Sequence, residues 1–443
     1  MAEEKNFANI LKTAFDKTLM AKFGSCVPPE PYITPFGIKH LDALLGGGIT
    51  SSSPVAFSST PETGKSTCAL QFCSVFQQVH SDSVVVYLDA ESAAGGQSSD
   101  VEDRVNTFGI DRERFLHKAI VMDLKQTFEM LEELIKLKQQ MESKTNREFF
   151  ILFVLDSIAA TGSSKDISAE DPNSVIGYKA RELSFILSKY KQHLSMQRVS
   201  FIIIDQVRSN LQIQTPWQAA SNEKSVGTFG NFKSATNVNS LQHNIRQWLW
   251  LSKGLQLKPQ DPLSVDGWVM NVYMEKNKLA PSGYSVPLVF DKKYGIIPIL
   301  SEYYFLSNQT KVEKKYWPKK EKMPYPLLVT GATNRRVLEV IEPTTGEVTY
   351  TSDVFNERNF LKKYREDETF RGWFDYAAFV SAEQRIKINL FRNQPTLPET
   401  SIVEEYENVI DETIEESNNL YSKDEADIDN YDPSLEEDVE SGY

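Results

Sequence analysis

The sequence predicts an α/β fold on a mostly parallel, buried sheet, and three observations carry that expectation. Apolar strand candidates alternate with helical stretches. Val84–Asp89, Phe149–Asp156, Ser200–Asp205, Gln247–Leu251 and Trp268–Glu275 read as strands, and Thr67–Val79, Gln126–Met141 and Ser174–Leu194 as helices. The strands are near-continuous apolar runs, the pattern of strands covered on both faces. Finally, a short run rich in Ser, Thr and Gly, Ser59–Ser66, joins the strand candidate Pro54–Ser58 to the first of those helices. Folds of this class hold their ligands there, beyond the carboxyl ends of the strands.

Taken in order, the chain opens with Phe7, Leu11, Phe15, Leu19 and Phe23 at four-residue spacing, one stripe of an amphipathic helix. That stripe packs on the chain's own core or on a neighbouring subunit. Pro28-Pro29-Glu30-Pro31 ends it. The helix over Gln126–Met141 shows an apolar stripe at Phe128, Leu131, Leu134, Ile135 and Met141. Two polar stretches, Thr161–Asn173 and Ser209–Ser240, interrupt the alternation, and long connections of this kind are functional or mobile. After about residue 300 the character changes. Lys311, Lys314, Lys315, Lys319, Lys320 and Lys322 are interleaved with Tyr316 and Trp317. A hairpin is expected from Val337–Glu342 and Val348–Thr351 around Thr344-Thr345-Gly346. The expected division is an N-terminal arm over 1–30, a core over 31–299, a small C-terminal domain over 300–400 and a tail over 401–443, with no internal repeat.

Composition is that of a globular protein, with 40% apolar and 25% charged residues among 443. The longest apolar run, Phe149–Leu155, ends at Asp156 and is too short to span a bilayer. No secretory core follows the N-terminus. Cys26, Cys68 and Cys73 lack metal-ligand spacing and form no disulfide framework, so a reducing, cytosolic compartment is expected. The net charge of −13 is misleading until it is located: residues 401–443 carry −15, which leaves +2 for residues 1–400. Acidity therefore does not exclude a nucleic-acid partner. The tail has little apolar content and should be disordered. It is a solubilising appendage or a polyanion that competes with DNA for basic surface.

Ser59-Thr60-Pro61-Glu62-Thr63-Gly64-Lys65-Ser66 is one residue short of the phosphate-cradling pattern G-x-x-x-x-G-K-[ST], with Ser59 in place of the first Gly. In such a loop, backbone N–H groups and the helix N-terminus, here at Thr67, face the phosphates. Lys65 would reach the β- and γ-phosphates of ATP, and the Ser66 hydroxyl would ligate Mg²⁺. Serine lacks glycine's access to positive φ, so the local geometry is expected to differ. Two apolar strands downstream end in acids, Asp89-Ala90-Glu91 and Asp156-Ser157. Asp156 suits the metal-supporting carboxylate, and Glu91 could polarise a water for attack on the γ-phosphate. Gln206, at the end of a further strand, is a γ-phosphate sensor that couples hydrolysis to the loop beyond it, or a solvated polar residue.

The order of cradle, Asp89-Ala90-Glu91, Leu155-Asp156-Ser157 and Asp205-Gln206-Val207-Arg208 resembles the RecA recombinase family, as do Lys276-Asn277-Lys278-Leu279-Ala280-Pro281 and Ile33-Thr34-Pro35 to Ile49. The likeness covers roughly residues 30–295. Beyond it, Glu342-Pro343-Thr344-Thr345-Gly346-Glu347 and Trp373-Phe374 look more like the bacteriophage UvsX-type branch. The resemblance implies a RecA-like P-loop ATPase core with a short N-terminal helical arm, a small C-terminal α+β domain and a disordered acidic tail. It implies DNA-stimulated ATP hydrolysis by a helical homo-oligomer on single-stranded DNA, pairing with double-stranded DNA, and strand exchange. Single-strand-binding and mediator proteins would be partners, with no membrane, in the cytoplasm (that of a bacterial host if phage-encoded). Lys276 and Lys278 would reach across to a neighbour's γ-phosphate. Ile176, Arg181 and Arg208 fall where the family contacts DNA, and Trp217, Phe229 and Phe232 are stacking candidates in the second polar stretch or fold back on the body. The Lys311–Lys322 segment is a charged linker or a surface that captures duplex. The sequence departs from the family at Ser59, at Ser92–Asp100, where no adenine-stacking aromatic stands, and at His243, where a Phe is usual. Two alternatives share the core fold: a hexameric replicative helicase, and a non-exchanging paralogue that regulates a partner.

Overall fold

The computed structural model describes residues 13–15, 17, 22, 28–91, 99–119, 122–162, 172–206, 243–316, 326–330, 335–342 and 345–386. Three strands and a helix lead into the cradle, β1 (Ile33–Thr34), α1 (Lys39–Leu45), β2 (Ile49–Thr50) and β3 (Val55–Ser59), and α2 (Lys65–Val79) leads out of it. The α/β alternation continues with β4 (Ser83–Asp89), α3 (Ser99–Thr107), β5 (Phe115–Lys118), α4 (Leu124–Thr145), β6 (Phe150–Asp156), α5 (Pro172–Gln197) and β7 (Ser200–Gln206). Then come β8 (Gln247–Leu257), β9 (Gly267–Asn277), β10 (Ser285–Asp291) and β11 (Gly295–Ile296). One sheet holds nine strands in the order β11-β10-β9-β8-β3-β7-β6-β4-β5. β3 pairs in parallel with β7 and β8, β6 with β7 and β4, and β4 with β5. This is the mostly parallel sheet expected from the uninterrupted apolar strands.

The described residues form two compact units. The first lies within Met1–Ser252, Met270–Pro287 and Ala382–Pro395, and the second within Lys253–Val269, Leu288–Ser381 and Thr396–Tyr443. In the first, β6 and β7 are covered by α4 and α5 through Phe128, Leu131, Ile135, Leu183, Leu187 and Leu194. The α4 stripe departs from the expected one. Met141 is exposed, whereas Lys138 is buried and its Nζ donates to Glu142 Oε1 at 2.5 Å. A 3.6-residue period carries the buried line through Leu131, Ile135 and Lys138, and an i,i+4 partner makes a lysine tolerable there. Cys68 and Cys73 are buried on α2, and burial pushes the Cys68 thiol up to about 12, as inert buried cysteines require.

The second unit has its own core around Leu300, Tyr303, Phe360, Phe370 and Phe374. α6 (Pro298–Tyr316) is followed by a sheet of β12 (Leu327–Thr330), β13 (Arg335–Ile341), β14 (Val348–Thr351) and β15 (Phe355–Asn356), then α7 (Phe360–Glu366) and α8 (Glu368–Ile386). The expected hairpin is β13–β14, antiparallel, with Gly346 at φ 70° in its turn. Trp373 stacks on Tyr350 at 5.3 Å, and its neighbour Phe374 faces the core. Among the described residues, no helix is long and apolar enough to cross a membrane.

Candidate active site

The cradle forms where β3 meets α2. The loop turns through two left-handed residues, Glu62 at φ 58° and Gly64 at φ 103°, whereas Ser59 remains in the strand. Serine therefore replaces glycine at that position without backbone strain, and its side chain gains a use. Lys65 is buried, and its Nζ donates to Ser59 Oγ at 2.9 Å and to the Thr60 carbonyl at 3.0 Å. Thr63 Oγ1 donates to the same carbonyl at 2.9 Å. No side chain caps the N-terminus of α2, so its first-turn amides suit an anion. Burial holds the Lys65 ammonium below the ordinary lysine range, opposed by Asp156, Glu91 and Asp205.

Register places the acids around this lysine. Asp89 stands opposite Asp156, Asp156 opposite Ile204, and Ser58 and Ser59 opposite Asp205 and Gln206. Gln206 Nε2 donates to Glu91 Oε1 at 2.9 Å, so two residues 115 positions apart meet beside the cradle. Asp156 is buried; its Oδ2 accepts from the Tyr87 hydroxyl at 2.6 Å, and its Oδ1 has no hydrogen-bond partner. Burial pushes the Asp156 carboxyl up to about 6, partly countered by the nearby Ser66 hydroxyl and the hydrogen bond from Tyr87 and reinforced by Asp89 and Glu91.

These residues fit a nucleotide phosphate with Mg²⁺. Asp89, Glu91, Asp156 and Asp205 gather at the strand ends, and a divalent cation would offset that excess of negative charge. Among the described residues no group of three or more His, Cys, Asp or Glu could hold a metal, so Mg²⁺ would be held through phosphate oxygens, Ser66 and water. When bound, Mg²⁺ supplies neutralisation of the charge that develops between β- and γ-phosphates. Without it, the raised Asp156 value has a consequence for stability. The folded protein favours the protonated carboxyl, a contribution complete below the unfolded value of 3.8 and lost as pH rises through about 6. Asp156→Asn, neutral at every pH, should stabilise the nucleotide-free protein at pH 8 by about 3 kcal/mol relative to wild type. Urea unfolding at pH 8 and pH 4 checks this: the difference should shrink toward zero at the lower pH.

A second cluster is cationic. Asn277 closes β9, and its side-chain Nδ2 donates to the Leu44 carbonyl at the end of α1 at 2.8 Å. The period of two puts Lys276 and Lys278 together on the opposite face. Lys278 N–H donates to the Arg246 carbonyl at 3.2 Å, and Asn244 Nδ2 reaches the Ser184 carbonyl on α5 at 3.4 Å. Lys191, one stripe further along α5, joins this group. Burial lowers Lys191, and Lys278 and Arg246 lower it further. Burial likewise lowers Lys276, with Lys278 and Lys191 adding to it.

The structure thus brings Ser59–Thr67, Glu91, Asp156 and Gln206 to one edge of the sheet, and Lys276 and Lys278 to another place in the same unit. Arg181 is exposed on α5, and Ile176 lies on that helix with only its backbone described. Arg208, Trp217, Phe229 and Phe232 lie outside the described residues, as do Trp317 and Lys319 to Lys322. Sequence reasoning missed Tyr87, Lys191 and Arg246. Tyr87 shares a strand face with Asp89 by alternation, but only the β4–β6 register shows that its hydroxyl reaches Asp156.

Residues 34–215 match a family model described as "ATPase: KaiC". The chain is 25% identical over 287 residues to Protein RecA of Brucella anthropi, covering 64% of this chain and 69% of that one. It is 26% identical over 289 residues to Protein RecA of Nocardioides sp., covering 65% and 72%. Protein RecA of Gloeobacter violaceus is 23% identical over 272 residues, covering 61% and 64%. The parallel sheet with its cradle has a RecA-like ATPase fold, and the chain is similar both to the KaiC-type ATPase model and to RecA proteins.

Proposed function

We propose that this chain is an ATP-dependent DNA recombinase that polymerises on single-stranded DNA, pairs it with homologous duplex and exchanges strands. The observation that supports it best is the Gln206–Glu91 hydrogen bond at 2.9 Å. It ties the water-activating carboxylate to the strand end that runs into the Ser209–Ser240 stretch, the expected DNA-binding loop. Loss of a γ-phosphate beside Gln206 would rearrange that bond, and a change in the loop would in turn move Glu91. Such an arrangement makes hydrolysis depend on DNA and DNA affinity depend on nucleotide, a reciprocal coupling.

In this reading Lys65 and the α2 amides hold the phosphates, Ser66 and Asp156 hold Mg²⁺, and Glu91 orients the attacking water. Lys276 and Lys278 act on a neighbour's γ-phosphate. A cationic group on one copy and an acidic phosphate site on the next suit head-to-tail assembly, which yields open helical polymers when the rotation does not close. The turn around Gly346 and the Trp373–Phe374 pair support placement in the bacteriophage UvsX-type branch, in a host cytoplasm. Electron microscopy of the full chain with single-stranded DNA, ATP and Mg²⁺ tests the assembly. Helical filaments are expected, and closed hexameric rings would favour the helicase reading.

A further inference from the structure

Tyr87 is fully buried on β4, opposite His117 of β5 and Val154 of β6. Its ring lies 6.1 Å from those of Phe115 and His117. Phenylalanine would fill that space equally well, so packing does not explain the hydroxyl. The hydroxyl instead crosses the ladder diagonally. Val154 is the register partner of Tyr87, Asp156 lies two residues further along β6, and a ring of this length spans the diagonal. The resulting bond to Asp156 Oδ2 measures 2.6 Å, the short range of a hydroxyl donating to a carboxylate. The other oxygen, Oδ1, is buried without a hydrogen-bond partner. The carboxyl group is therefore tethered at one oxygen and open at the other, in a site where a buried acceptor is expected to find a donor.

We propose that Tyr87 is a positioning residue of the phosphate site: by occupying Oδ2 it fixes the rotation of the Asp156 carboxyl group and reserves Oδ1 for the water shell of nucleotide-bound Mg²⁺. This rests on the reading of Asp156 as the metal-supporting carboxylate. A phenyl ring in place of the phenol would leave the carboxyl free to rotate between the Ser66 side and the Asp89 side. The second orientation brings two carboxylates on paired positions closer together and turns the free oxygen away from Ser66.

The test is Tyr87→Phe in the full chain, with binding of a fluorescent ATP analogue titrated against Mg²⁺ and, separately, measured in EDTA. The Mg²⁺ midpoint should rise about 5- to 20-fold, while affinity in EDTA stays within twofold. At saturating Mg²⁺ the ATPase kcat should fall more than KM changes. A purely structural tyrosine would weaken nucleotide binding equally with and without the metal, and that result overturns the proposal. So does an unchanged midpoint. Measurements are made below the variant's own unfolding transition, so an earlier melt does not obscure them. Asp156→Asn is titrated in parallel. If it also leaves the midpoint unchanged, the metal reading of Asp156 fails; if only Tyr87→Phe does, the positioning role alone fails.

Discussion

Lys65→Ala is expected to lower ATP turnover about 10²- to 10³-fold or more, the loss typical of removing one preorganised donor from a developing anionic centre. The reason is visible without nucleotide. Lys65 Nζ is held by Ser59 Oγ and the Thr60 carbonyl inside the loop, so the cation is already aimed when phosphate arrives. It also offsets Asp156, Glu91 and Asp205. Alanine would remove both functions, and fluorescent-nucleotide binding should weaken together with turnover. Lys65→Arg keeps the charge but not the compact ammonium, and should recover binding better than turnover. Steady-state ATPase with and without single-stranded DNA measures both; turnover within threefold of wild type for Lys65→Ala would contradict the cradle assignment.

Lys276→Ala should produce a different pattern. Nucleotide binding by the free subunit should stay within twofold, because Lys276 belongs to the cluster with Lys278, Lys191 and Arg246 and not to the cradle. DNA-stimulated turnover should nevertheless fall about 10²-fold, since a neighbour's γ-phosphate loses a cation in the transition state. Unfolding should not suffer, because removing one of several like charges relieves repulsion. A Lys276→Ala protein that hydrolysed ATP at the normal DNA-stimulated rate would remove the trans assignment.

Much of the fold was legible because its signal is local. Continuous apolar strands marked the sheet, and the strand ends at Asp89 and Asp156 emerged at the residues expected, whereas the strand expected to end at Asp205 continues to Gln206. The cradle was legible because Gly64-Lys65-Ser66 must follow a strand and begin a helix. What stayed hidden depends on register or on partners distant in sequence. The Tyr87 bond to Asp156 requires knowing that β4 and β6 pair with Asp89 opposite Asp156. The gathering of Lys191, Arg246, Lys276 and Lys278 requires α5, β8 and β9 to be placed in space. Lys138 took a buried position expected of an apolar residue because Glu142, one turn away, supplies its partner. The sequence marks Ser59 as a departure at which the local geometry should differ somewhat. Its strand backbone and its bond to Lys65 show instead that the positive φ falls at Glu62 and Gly64.

Homologous strand exchange driven by ATP leaves joint molecules as its product. The most direct measurement incubates the full chain with single-stranded DNA, homologous supercoiled duplex, Mg²⁺ and ATP, and scores joint molecules. Joint molecules are expected that require both ATP and homology and that disappear with Lys65→Ala. A chain that binds DNA and hydrolyses ATP yet forms no joint molecules would contradict strand exchange and leave the regulatory paralogue.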